Sequence, residues 1–229
     1  RPGSKHNFKY LVDFFYNHKN WPKKEVLIEK IESSINKDIP TDTLINWFEK
    51  NPPQTAKGSI DLLEVLIKNN SSFDKRKLIS KIWIEKNLTS SQQKYFIRKY
   101  SRYWTQDDNW KRFNRLMIEG KTFSARKTLN RIKGDKRKLG EARLGLSRRS
   151  PNVSELIRNV PMQLKNDSDL IYERMRWRRK AKLDTASDLL INPPTQISSL
   201  LSLVILCRYN CCSFTQIKFE QISNLKMGE

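Results

Sequence analysis

The sequence predicts an all-α protein, a superhelical solenoid of short antiparallel helical hairpins in a U-shaped or ring-type scaffold. Three observations predict it: apolar residues recur with the helical period, prolines divide the chain into helix-length segments, and no stretch alternates with period two over six residues. Leu62, Leu63, Leu66 and Ile67 form one apolar stripe, and Leu78, Ile79, Ile82 and Trp83 form a second with the same spacing. Leu139, Ala142 and Leu146 form a narrower one. The breaks fall at Trp21-Pro22, Pro40, Pro52-Pro53, Pro151, Pro161 and Pro193-Pro194, because proline has no N–H to give to a helix.

The start signals agree with these breaks. Thr41 is expected to open TDTLINWF and Thr55 to open TAKGSIDLLEVL, since a threonine oxygen accepts from a backbone N–H that the first turn leaves free. Thr89 with Gln92 reads as a capping box before KYFIRKY. Thr105 precedes the helix through Trp110 and Leu116 in the same way. Roughly two to five residues separate successive helices, so neighbours are expected to run antiparallel. Each hairpin then buries its stripe only against the next, and a curved row results. An ordinary globular helix bundle is the alternative.

Composition narrows the function classes. The chain has 229 residues, 45 Lys and Arg against 24 Asp and Glu, and a net charge of +21. Six Trp, ten Phe and seven Tyr are enough to seed a packed core, which excludes a disordered polycation. No apolar run approaches the roughly 18 residues that span a bilayer. The longest, Ile197 to Cys207, is too short, and no membrane span is expected. The first residue is Arg1, as expected of a processed or truncated N-terminus. Cys207, Cys211 and Cys212 are the only cysteines, so a disulfide framework or a cysteine zinc site is not expected in the body of the chain. His6 and His18 lack a third ligand in register, and neither a metal nor a cofactor is expected.

Charge is the loudest signal. Between Lys111 and Arg149 there are 14 Lys and Arg against Glu119, Asp135 and Glu141. Arg174, Arg176, Arg178, Arg179, Lys180 and Lys182 follow. Such a field attracts nucleic acid, anionic lipid head groups or a carboxylate-rich polymer. No helix-turn-helix, RNP-type strand or zinc finger supports nucleic-acid readout. Two plainer explanations compete: a solvated basic face, and arginines of the run Tyr172 to Arg179 that pair with acids on adjacent helices. Catalytic constellations are scarce. Glu25, Glu29, Glu32, Glu64 and Glu85 fall at positions typical of solvated helix faces, and no catalytic residue is assigned. Trp21, Trp47, Trp83, Trp104, Trp110 and Trp177 recur about once per hairpin, and core packing is the favoured role for each over a sugar-stacking platform.

These residues resemble one known family. The segment VPMQLKNDSDLIYERMRWRRKAKLDTASDLLINPP (160–194) resembles a stretch of the bacterial soluble lytic transglycosylases, with its Val-Pro, Tyr-Glu-Arg, Arg-Trp-Arg-Arg and Leu-Leu before prolines. YWTQDDNWKRFNRLM (103–117), EARLGL (141–146), NPPQTAKGSIDLLEVLI (51–67) and NHKNWPKKEVLIEKIE (17–32) are similar to further family segments, in the same order. The resemblance covers about 190 residues of the α-superhelical region that precedes the catalytic module. It implies a U-shaped or ring-like helical scaffold in the periplasm, acting with an enzyme that cleaves between N-acetylmuramic acid and N-acetylglucosamine and leaves a 1,6-anhydro sugar. The family's acid/base Glu lies in a lysozyme-like module marked Glu-Ser-x-Phe. Glu32-Ser33 is followed by Ser34-Ile35, so no catalytic residue carries over. On this reading Arg112, Arg115, Arg174 and Arg178 are candidate contacts to an anionic glycan.

The similarity stops at Pro193-Pro194. Residues 195–229 hold all the cysteines and a serine-leucine run, and the charge surplus collapses there. A frameshifted end is expected, poorly integrated, with the run Ile197 to Cys207 folding back as one short capping helix. The expected function is that of the scaffold and substrate-positioning domain of a peptidoglycan lytic transglycosylase, itself catalytically silent. The alternatives are a helical-repeat module that takes a protein partner in its concave groove, and a basic nucleic-acid binder.

Overall fold

The computed structural model describes residues 7–181, and among them there is only helix, turn and loop. The chain divides into two compact units between Ile132 and Lys133, where the sequence reading expects one domain through residue 194. His6, Lys182, the Leu189–Leu190 stripe, Pro193-Pro194 and the tail 195–229 with its cysteines lie outside the described residues.

The first unit holds α1 (Phe8–Asn17), α2 (Lys24–Ser34), α3 (Thr41–Lys50), α4 (Ala56–Lys68), α5 (Lys75–Glu85), α6 (Ser90–Tyr100), α7 (Gln106–Ile118) and α8 (Thr122–Leu129). Helices α1 and α2 pack together, α3 packs on α4, α5 on α4 and α7, and α7 on α8. Two cores result. Phe8, Leu11, Ile31, Leu44, Trp47 and Phe48 fill the first, and Ile60, Leu63, Ile79, Ile82, Trp83, Phe96 and Trp104 the second. In the second core the Trp83 and Trp104 rings stack 4.4 Å apart, and Phe96 lies on Trp104 at 5.8 Å. Parallel slabs of this kind bury large apolar faces with little loss of side-chain freedom.

Local capping follows the sequence at three of four places. Thr55 accepts from the Gly58 N–H, while Thr89 with Gln92 and Thr105 with Asp108 close reciprocal capping boxes. Thr41 does not cap. It is already the first helical residue of α3, and the extended residue before it is Pro40, which has no side-chain acceptor. Asn7, Asp74 and Asp167 cap other helices.

The second unit holds α9 (Gly134–Arg148), α10 (Val153–Arg158) and α11 (Ser168–Lys180), with α10 and α11 both packed on α9. Gly145 allows the closest approach, since a Cβ there would run into the Leu156 side chain. Arg149 ends α9 in the left-handed region at φ 56°, a conformation that glycine adopts more readily than arginine.

Candidate functional site

Each of the four arginines expected to meet glycan has a defined place. Arg112 is 1% exposed, so no ligand reaches it. Its guanidinium lies 4.2 Å over the Trp83 ring and donates to the Trp83 and Lys86 carbonyls at the end of α5. Burial, with Arg115 nearby, pulls its pKa down to about 10. Arg115 donates to the Ile84 carbonyl at 2.5 Å and to Asn87 Oδ1 at 3.0 Å, and pairs with Glu119 at 2.5 Å. The two arginines of α7 thus satisfy the carbonyls that the last turn of α5 leaves without partners. Arg112 is thereby corrected from a glycan contact to a structural role, while Arg115 keeps 20% of its side chain exposed. Arg174 and Arg178 lie half-buried on α11, and burial together with Arg178 lowers the Arg174 pKa.

The acids also sort by burial. Glu25, Glu29 and Glu85 are exposed as expected, and Glu64 is half-buried. Glu32 is fully buried, contrary to its expected solvated position. It accepts from the Gln54 and Thr55 N–H groups at 2.7 Å each and from the Thr55 hydroxyl, so it caps the start of α4 from another helix. Gly58 makes room for it, because a Cβ there would fall on the carboxylate. Lys57 answers from α4, donating to the Ile35 carbonyl at 2.7 Å and to the Glu32 carbonyl at 3.1 Å. Asp108 is buried too. Burial alone would raise its pKa, but the Thr105 N–H, the Ser80 hydroxyl and the Thr105 hydroxyl outweigh this and hold it below the ordinary carboxylate range.

A second polar cluster in the first unit is closed on itself. Tyr95 donates to Glu64, and Lys99 donates to Tyr95 at 2.7 Å and to Glu64 at 3.2 Å while lying over the Tyr95 and Tyr100 rings. The ammonium has its acceptors, and the carboxylate has its donors.

The second unit differs. Arg143 on α9 is 2% exposed and pairs with Asp169 on α11 at 3.0 Å. Glu173, one turn further along α11, is 3% exposed. Its Oε2 is buried without a hydrogen-bond partner, and the Arg176 guanidinium stands 3.8 Å away. Burial therefore dominates and raises the Glu173 pKa.

Glu173 lines a throat of about 10 Å³ with Ser147, Arg149, Arg176, Trp177 and Lys180. Arg149, Trp177 and Lys180 also line an adjoining groove of about 350 Å³, where Ser150 and Ser154 join them. Two exposed cations, a half-buried indole and serine hydroxyls thus face one space, with an underserved carboxylate beside it. Sequence reasoning favoured core packing for Trp177 over sugar stacking and did not single out Arg149 or Glu173. The left-handed backbone at Arg149 and the burial of Glu173 leave no local mark in the sequence. Among the described residues no group of three or more His, Cys, Asp or Glu side chains is placed to hold a metal ion. Nor is any described helix long and apolar enough to cross a membrane.

No family model, no curated protein and no solved structure matches the chain.

Proposed function

We propose that this chain is the superhelical scaffold and substrate-positioning domain of a periplasmic peptidoglycan lytic transglycosylase, which holds anionic glycan and performs no bond cleavage itself. The groove of the second unit carries this reading. Arg149 and Lys180 supply positive charge beside Trp177, whose ring offers a flat apolar face, and the space has the size of a small-ligand site. The five collinear sequence resemblances favour a glycan rather than another polyanion, and the all-helical architecture agrees with a solenoid of hairpins. Two of the three buried acids among the described residues, Glu32 and Asp108, are taken up in saturating helix ends.

Co-sedimentation with purified sacculi tests the proposal. The full chain is expected in the pellet at low salt and increasingly in the supernatant as salt screens the basic surface. No anhydromuropeptide should be released. A chain that stays in the supernatant at low salt, or that leaves sacculi for duplex DNA added at equal charge, overturns the reading.

A further inference from the structure

Three tyrosines of the first unit, close together in sequence, have opposite electrostatic surroundings. Tyr95 and Tyr100 lie on α6. Tyr95 donates its phenolic proton to the Glu64 carboxylate. Burial, with Glu64 adding to it, raises both phenols, Tyr100 to about 12. Tyr103 ends the 3₁₀ turn Ser101–Tyr103 that follows α6. The Arg102 guanidinium donates to its Oη at 3.1 Å and lies 5.0 Å from the ring centroid. From α5 the Lys75 ammonium stands 5.1 Å over the same ring. The Arg102 hydrogen bond first, and the Lys75 ammonium with it, hold the Tyr103 phenol below its ordinary value. No carboxylate is among the groups that act most strongly on it.

The two arrangements differ in what a lost proton does. Ionising Tyr95 would break its bond to Glu64 and set two anions side by side. Ionising Tyr103 strengthens the bond from Arg102, which can only donate, and adds the attraction of Lys75. Reagents also reach this ring, because Tyr103 is half-buried and Arg102 is exposed.

We propose that Tyr103 Oη is a nucleophilic modification site, which takes an activated sulfonyl or phosphoryl group at its tetrahedral sulfur or phosphorus. With an aryl sulfonyl fluoride the phenolic proton passes to water and an oxygen lone pair forms the O–S bond. The S–F bond breaks with its electron pair, and fluoride leaves. Nothing is oxidised or reduced, and no further reactant is needed. Arg102 and Lys75 hold the anion before attack, and the same positive charge favours the oxygens that gain electron density during it. The proposal is independent of the glycan reading, since Tyr103 lies in the first unit and the groove in the second.

Timed labelling of the full chain with uncharged benzenesulfonyl fluoride, with adducts located by peptide mass spectrometry, tests the site. Tyr10 and Tyr16 are the references for access, at 58% and 42% exposed. The adduct at Tyr103 is expected to form at least about threefold faster than at either, since a gain in anion fraction outweighs the nucleophilicity lost with a lower pKa. In the variant K75Q/R102Q the rate at Tyr103 should fall to that of Tyr16, and R102K should fall between. A second measurement needs neither cation variant. The ultraviolet phenolate titration of Y103F, subtracted from that of the unaltered chain, should show Tyr103 ionising below the ordinary phenol value of about 10. Labelling at Tyr103 no faster than at Tyr16 would overturn the proposal. An unchanged rate in a folded K75Q/R102Q chain, or a difference titration at or above the ordinary phenol value, would do the same.

Discussion

Glu32 in the first unit and Glu173 in the second are both buried carboxylates on helices, yet their surroundings are opposite. Glu32 accepts from two backbone N–H groups and a hydroxyl, and a glycine leaves the space it needs. Glu173 has a guanidinium at 3.8 Å and one oxygen with no hydrogen bond at all. A buried charge is tolerable when its hydrogen bonds replace those of water, and it is costly when they do not. The first carboxylate is therefore a structural joint between helices. The second is a local liability of the fold. The same contrast separates the Glu64–Tyr95–Lys99 cluster, which is closed on itself, from the open groove lined by Arg149 and Lys180.

The strongest way to break this comparison is to remove each carboxylate. Glu32→Ala removes the acceptor of the part-buried Gln54 and Thr55 N–H groups and leaves a cavity at a fully buried position, and urea denaturation should show a loss of about 2–3 kcal/mol. Glu173→Leu replaces a poorly served charge by an apolar group of similar size, and the change should stay within about 1 kcal/mol. Equal losses from the two substitutions would erase the distinction.

A smaller effect, of opposite sign in two helices, is expected from pH. Asp108 and Glu119 border α7, and both have lowered pKa values. For Glu119 burial acts upward, but Lys121 and Arg115 outweigh it. Groups of this kind contribute stability that is present above the unfolded carboxylate value and is lost as pH falls through the folded one. Asp167, which caps α11, and Glu173 on α11 are raised by burial, so their contribution is present at low pH and is lost as pH rises through their folded values. Asp61 on α4 is likewise raised by burial, so the comparison is made between α7 and α11 rather than between whole units. Amide exchange, corrected for its intrinsic pH dependence, should show α7 gaining protection relative to α11 from about pH 3 to about pH 6. Parallel behaviour of the two helices would contradict the assigned surroundings.

The smallest expected change sharpens the comparison at two left-handed residues. Asn70 at φ 50° in the first unit is a residue type that tolerates this region, whereas Arg149 at φ 56° in the second is not. Arg149→Gly should stabilise by about 0.5–1 kcal/mol, and Asn70→Gly should be close to neutral. A thermal melt that drops on Arg149→Gly would show the arginine to be holding the second unit together.

Much of the helical framework was legible. The stripes through Leu63, Ile79, Ile82 and Trp83 are buried as their spacing predicts, and the caps at Thr55, Thr89 and Thr105 form within three residues of their partners. Thr41 misled because a capping residue type next to a proline break does not say which of the two starts the helix. The tryptophans were legible only in part. Trp47, Trp83 and Trp104 are core residues, while Trp21 is 46% exposed and Trp110 and Trp177 are half-buried. Periodicity reports the side of a helix that faces a neighbour, not how completely the neighbour covers it.

The sequence by itself determined the all-α class, the helix breaks, most of the threonine caps and the excess of positive charge. These depend on interactions that reach three or four residues along the chain, or on composition alone. Only the tertiary structure decided which charged residues are buried. Glu32 finds its N–H partner 22 residues away and Arg112 its carbonyl 29 residues away, so neither could be told from a solvated helix residue by its neighbours in sequence. The groove of Arg149, Trp177 and Lys180 belongs with them, for its chemistry arises where α11 packs on α9, and side chains distant in sequence come to line one space.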